Sequence, residues 1–174
     1  MVSPLRHEDG FGLVELVVAT FILSVAVLAL MGGYDSAFVS LHKAAQKSSA
    51  ATLAATQLEL YSAIPYASIG LDSTTFASRK ASDSVYAGDE KAVAAAQSSP
   101  TDVTIASCGT SAQCSPVQTL TGSDHHTYKV ETFVHDVVST GTWKERVVTV
   151  IVRDPSTTGT PILAQSTAGF DKGP

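Results

Sequence analysis

An α+β fold, with one long N-terminal α-helix followed by a C-terminal antiparallel β-sheet of three or four strands, is predicted by two features of this 174-residue chain. First, an apolar run from Phe11 to Gly33 (FGLVELVVATFILSVAVLALMGG) holds a single ionisable residue, Glu15, and helical spacing continues after it as far as Tyr61. Second, the last third turns to β-branched, partly alternating segments separated by turn signals. Composition agrees with this division. Charged residues make up only 16% of the chain against 44% hydrophobic, well under the ~25% charge of an ordinary soluble domain.

The apolar run defines the first helical segment, residues 11–33. A helix rises about 1.5 Å per residue, so about 20 such residues cross the ~30 Å hydrocarbon core of a bilayer. A cleaved secretory signal has a shorter apolar region, about 7–15 residues, after a clearly basic start; here the preceding residues set Arg6 and His7 against Glu8 and Asp9. The run therefore reads as a membrane-inserting helix. Arg6 before it and Lys43 and Lys47 after it slightly favour the orientation opposite to export of the C-terminal part.

Residues 34–64 read as an amphipathic continuation. Tyr34, Phe38, Leu41 and Ala45 fall on one helical face, Leu53, Leu60 and Ile64 continue a drifting stripe, and Pro65 ends the helix near Ala63. Gly32 and Gly33 each cost about 1 kcal/mol relative to alanine in a helix. They mark either a loosened point in one helix or the junction of two. Residues 65–101, rich in Ser, Ala, Thr and Gly, read as a surface connection, with a short helix at Glu90–Gln97 capped by Asp89. Residues 102–174 form the sheet domain. Strands are expected at Asp102–Ser107, Thr127–Ser139, Trp143–Arg153 and Ile162–Ser166, with a hairpin connection at Ser139–Thr142. The blurred alternation of Arg146–Val152 suits a strand buried on both faces.

The chemistry of the side chains excludes several function classes. A formal net charge of −5 argues against a nucleic-acid partner, which needs a concentrated basic surface. Two cysteines are too few for a four-cysteine zinc site. Cys108 and Cys114 flank five residues, and in an oxidising compartment they would pair, closing a short loop that contributes roughly 2 kcal/mol. Neighbouring side chains on a strand point to opposite faces, so His125-His126 reads as a solvated loop rather than a metal pair. His42 and His135 have no ligating neighbours in the sequence. Asp136 beside His135 makes no catalytic triad, there being no Gly-x-Ser-x-Gly. Gly10-Phe11-Gly12 lacks the third glycine of a nucleotide loop. Tyr128, Phe133 and Trp143 suit sheet packing. No catalytic residue, metal site or cofactor is predicted.

Glu15 needs an explanation, because a carboxylate at membrane depth costs a few kcal/mol and calls for a partner or the headgroup region. Gly10-Phe11-Gly12-Leu13-Val14-Glu15-Leu16, followed by the apolar run, resembles the class III signal of type IV pilins and pseudopilins, whose pattern is Gly, Phe, usually Thr, two aliphatic residues and Glu. Gly12 stands where the family usually has threonine. The resemblance implies a leader of residues 1–10, cleavage after Gly10 by a prepilin peptidase and N-methylation of Phe11. It also implies a small antiparallel sheet packed on the second half of a long helix. The new ammonium at Phe11 would lie one turn from Glu15 on the same helical face, and the resemblance implies that Glu15 sets axial register by pairing with the amine of a neighbouring subunit. Thr20/Ser24 and Ala29/Gly33 have the four-residue spacing of close helix packing, and Gly32–Gly33 falls where pilins often carry a helix-breaking proline, as a point of helix flexibility. Tyr128-Lys129-Val130 and the run from Trp143 to Val150 resemble minor pilins of the PilV type. The function implied is a structural subunit, not an enzyme, whose helix waits in the cytoplasmic membrane with its C-terminal domain exported before assembly into a type IV pilus or a type II secretion filament. The implied partners are other pilin subunits, the prepilin peptidase and the cytoplasmic membrane platform of the assembly machine. A secreted or membrane-anchored envelope binding protein with no filament role is the alternative.

Overall fold

The computed structural model describes residues 12–106, 108, 111–138, 144–157 and 159–171. The chain divides into two compact units, Met1–Lys43 and Ala44–Pro174.

One helix, α1, runs without interruption over Leu13–Ser62. Gly32 and Gly33 lie inside it, so no junction of two helices forms there. Every side chain from Leu13 to Lys43 is exposed, Tyr34, Phe38 and Leu41 among them, and the helix is long and apolar enough to cross a membrane, with a mean hydropathy of 2.7 over its most apolar window.

In the second unit the same helix is buried at Ala50, Ala54, Gln57 and Tyr61, a 4-3-4 spacing that makes one face. This is not the drifting leucine stripe expected from the sequence: Leu60 is exposed and Leu53, Leu58 and Ile64 pack only at the edge of the core. Alanine lets the helix axis approach the sheet closely, and the larger side chains then have room only at the flanks. The helix ends at Ser62, and extended Pro65 leads into a single 3₁₀ turn at Tyr66–Ser68.

Residues 65–101 carry more structure than a connection. Strand β1 (Leu71–Asp72) leads into α2 (Ser73–Ser82) and α3 (Ser84–Ala95). Asp72 Oδ1 accepts from the Thr75 amide at 2.9 Å, and Asp83 Oδ1 accepts from the Val85 and Tyr86 amides at 3.1 Å. These are N-caps, each satisfying amides that a helix start leaves free. The expected cap, Asp89, sits within α3 and bonds Arg153 instead. Phe76, Tyr86 and Val93 anchor the two helices in the core.

The remaining strands are β2 (Thr101–Asp102), β3 (Thr104–Ile105), β4 (Val117–Thr121), β5 (Thr127–Val138), β6 (Lys144–Arg153) and β7 (Ile162–Asp171). The main sheet is antiparallel. β5, β6 and β7 follow one another, while β4 and β2 share the outer edge of β5, β4 along residues 127–131 and β2 at residues 135–136. The expected strand from Asp102 is split. Its first part joins this sheet as β2 and its second, β3, pairs in parallel with β1. Val103 bridges the two, donating to Val134 O and accepting from the Leu71 amide. Ser107, Trp143 and the Ser139–Thr142 connection lie outside the described residues.

Alternation along β5 and β6 sorts the core onto two faces. Tyr128, Val130, Thr132 and Val134, opposite Val152, Val150 and Val148, face α1; Tyr128 Oη lies 3.5 Å from Gln46 O. On the other face Phe133 stacks on Tyr86 of α3 with ring centroids 4.8 Å apart. Both faces of β5 are thus covered, and residues 148–153 of β6 are all buried, as the blurred alternation of Arg146–Val152 predicts.

Candidate functional site

At the start of α1, the Glu15 and Leu16 amides donate to Gly12 O at 2.9 and 3.2 Å. Glu15 lies in the first turn with its side chain exposed. The hydroxyls of the apolar segment turn back onto their own helix: Thr20 donates to Leu16 O and Val17 O, and Ser24 to Thr20 O. With backbone and hydroxyls satisfied internally, as a nonpolar environment demands, the carboxylate of Glu15 is the only ionisable side chain between Phe11 and Gly33. The same segment exposes Leu13, Val14, Phe21, Leu28 and Leu30, a surface far more apolar than water favours on a free monomer. Gly10 and Phe11, the expected processing residues, lie outside the described residues. A Cβ at Gly32 or Gly33 would meet nothing within 4 Å.

Residues 5–31 match the family model described as the prokaryotic N-terminal methylation motif. The chain carries the class III signal of type IV pilins. The matched residues contain the whole Gly10–Leu16 pattern and nearly all of the apolar run, and the match stops short of the sheet domain. It marks a structural pilin motif rather than an enzyme family. No curated protein and no solved structure gives a significant match. The long helix followed by an antiparallel sheet is pilin-like in architecture, and the apolar helix with its class III signal suits a membrane-anchored pilin.

The second unit brings together polar groups far apart in sequence. Cys108 and Cys114 form a disulfide. Buried Cys114 accepts from the Asp72 amide through its carbonyl at 2.9 Å, so the closed loop is tied to the start of α2. Between α3 and the sheet, Arg153 Nε lies 2.9 Å from Asp89 Oδ2 and 3.2 Å from Glu131 Oε2, while Lys129 Nζ lies 2.6 Å from Asp83 and 2.7 Å from Glu131. Burial pushes the Glu131 carboxyl up, against the pull of Lys129. For Asp83 burial acts upward too, but the Lys129 ammonium and the helix-start amides outweigh it and hold the carboxyl below its usual range. Burial raises the Tyr86 and Tyr61 hydroxyls, so both stay neutral. These groups pin α3 to β5 and β6. A second cluster joins Lys80, Glu90, Asp102 and His135. His135, without chemical context in the sequence, thus has one in the fold. Asp136 beside it turns to Arg146, accepting from Nε at 2.7 Å and Nη2 at 3.2 Å. His125 sits at positive φ in the turn joining β4 to β5.

No sequence spacing announces these clusters, because each draws on three or more elements. The one available signal was the aspartates at positions 72 and 83, just ahead of helix-compatible residues, which would have placed α2 and α3 and hence Asp89 and Glu90.

Proposed function

We propose that this chain is a pilin-like structural subunit, a minor pilin or pseudopilin. Prepilin peptidase removes residues 1–10, Phe11 becomes the methylated N-terminus, and the helix holds the subunit in the cytoplasmic membrane with its C-terminal domain exported. The subunit then packs with other pilins into a type IV pilus or a type II secretion filament, recruited by the membrane platform of the assembly machine. The observation that supports this reading is the match to the methylation motif on a helix whose side chains from Leu13 to Gly33 are all exposed and, Glu15 apart, carry no charge. Such a surface suits lipid first and neighbouring helices afterwards. Glu15 would neutralise the new ammonium of a neighbour, a pair strongly favoured over either charge alone in a low-dielectric bundle, and Gly32–Gly33 would let the helix adjust as subunits pack.

Mass spectrometry of the protein purified from its native host tests the proposal. The expected mature chain begins at N-methylated Phe11. A chain retaining Gly10 would point to a permanently anchored envelope protein, and one beginning beyond Met31 to a secreted binding module; either overturns the filament reading.

A further inference from the structure

Among the described residues one group of side chains has the composition and spacing of a metal site, and it is remote in chemistry from the assembly helix. Glu90 of α3, Asp102 of β2 and His135 of β5 each offer a ligand atom, all within 4.8 Å of one another. His135 is only 1% exposed and Glu90 is buried, while Asp102 opens the cluster to solvent. His135 Nε2 lies 3.2 Å from Asp102 Oδ1 and 3.9 Å from Glu90 Oε1. Ligands around a tetrahedral zinc ion stand about 3.3–3.6 Å apart, from bond lengths of about 2.0–2.2 Å, so His135 and Asp102 are already near that spacing and Glu90 has to move inward.

Two further observations favour a cation here. A neutral imidazole has one N–H, yet Nε2 faces two carboxylate oxygens. The other ring nitrogen, Nδ1, is buried without a hydrogen-bond partner, so the ring's polar contacts are all at Nε2. The outer oxygens are already held: Lys80 Nζ lies 3.1 Å from Glu90 Oε2 and 3.2 Å from Asp102 Oδ2. Lys80 therefore orients both carboxylates with their second oxygens toward the histidine, in the way that outer-shell partners orient metal ligands.

We infer that Glu90, Asp102 and His135 form a binding site for a divalent transition-metal ion, zinc by ligand type, which clips α3 and β2 to β5. Coordination through Nε2 leaves the ring neutral with its proton on Nδ1, and the half-exposed side of Asp102 leaves the fourth position to water.

The test is titration of the chelator-treated, tag-free full-length protein in detergent with zinc chloride, followed by calorimetry and by thermal unfolding. One equivalent binds with micromolar or tighter affinity and raises the unfolding midpoint. Asp102→Asn, at an exposed position, weakens zinc binding at least tenfold and removes the rise, and Glu90→Gln serves as the second variant, with far-UV circular dichroism checking that each is folded. The double variant His125→Gln/His126→Gln binds as the wild type does. Absence of saturable micromolar binding, unchanged affinity in folded Asp102→Asn and Glu90→Gln, or zinc binding that disappears with His125 and His126 would overturn the site.

Discussion

The two parts of α1 share a backbone conformation and little else. From Leu13 to Lys43 the side chains are uniformly exposed and, as far as Met31, mostly large and apolar; from Ala44 to Ser62 the buried positions are Ser49, Ala50, Ala54, Gln57 and Tyr61. The usual relation between hydrophobicity and burial is inverted: the greasy part faces outward and the bland part lies against a core. The difference teaches that the second part is shaped for one neighbour already present in the chain, whose contours demand small residues, whereas the first suits an apolar medium that has no fixed contours.

The sharpest way to break this comparison is at Glu15. In Glu15→Val the run from Phe11 to Gly33 loses its single ionisable side chain, and incorporation into filaments is expected to fall to nothing while membrane insertion persists. Immunoblots of sheared filament and membrane fractions measure both, and normal incorporation would remove the register role. Next comes a pair of enlargements. Ala54→Leu forces three carbons into a fully buried site and should destabilise the second unit by roughly 1–3 kcal/mol, lowering its thermal midpoint. Ala26→Leu, on the exposed part, should leave that midpoint unchanged. Equal effects from the two would dissolve the distinction. Replacing both cysteines, Cys108→Ser with Cys114→Ser, removes a short loop closure and should cost roughly 2 kcal/mol in denaturant titration of the second unit, without altering membrane partition of the first.

The smallest effect is in acid. The carboxyls of Asp72, Asp83, Asp124 and Asp154 are all held below their usual range: Asp72 chiefly by the Thr75 amide, Asp154 by the Ser156 hydroxyl, and Asp83 and Asp124, against burial, by Lys129 and the Tyr128 hydroxyl. A depressed carboxyl contributes stability that is complete above its unfolded value of about 3.9 and is lost as pH falls through the folded value. The midpoint of the second unit should therefore fall below about pH 4. Glu131, raised by burial, acts in the opposite sense and blunts the loss. A midpoint that rises steadily toward pH 2 would show that Glu131 dominates.

Much of the fold was legible in the sequence because it follows from local periodicity. The helix and its end before Pro65, the long strands β5 and β6, and the start of β7 all appear in the order of side-chain types. The methylation signal was legible for a related reason: six consecutive residues carry it. What escaped were features decided by tertiary partners. Strand β4, with only Val117 and Leu120 as apolar residues, exists because the first half of β5 needs an edge partner. Helix α2 (STTFASRKAS) has Phe76 as its one large apolar residue, and holds through its Asp72 cap and the burial of Phe76. The buried face of α1 was hidden because alanine is a weak signal of burial and leucine a misleadingly strong one. The Glu90–Asp102–His135 group was invisible because β2 and α3 meet β5 only after the chain has folded back on itself.

The way Thr20 and Ser24 spend their hydroxyls on their own carbonyls has a bearing on how such a subunit chooses company. A cylinder that keeps its donors to itself offers neighbours little but shape and one negative charge, features that many sibling rods would share. In the proposed filament, discrimination between one sibling and another then has to reside in the folded head that the rod carries, where contour and charge vary from patch to patch.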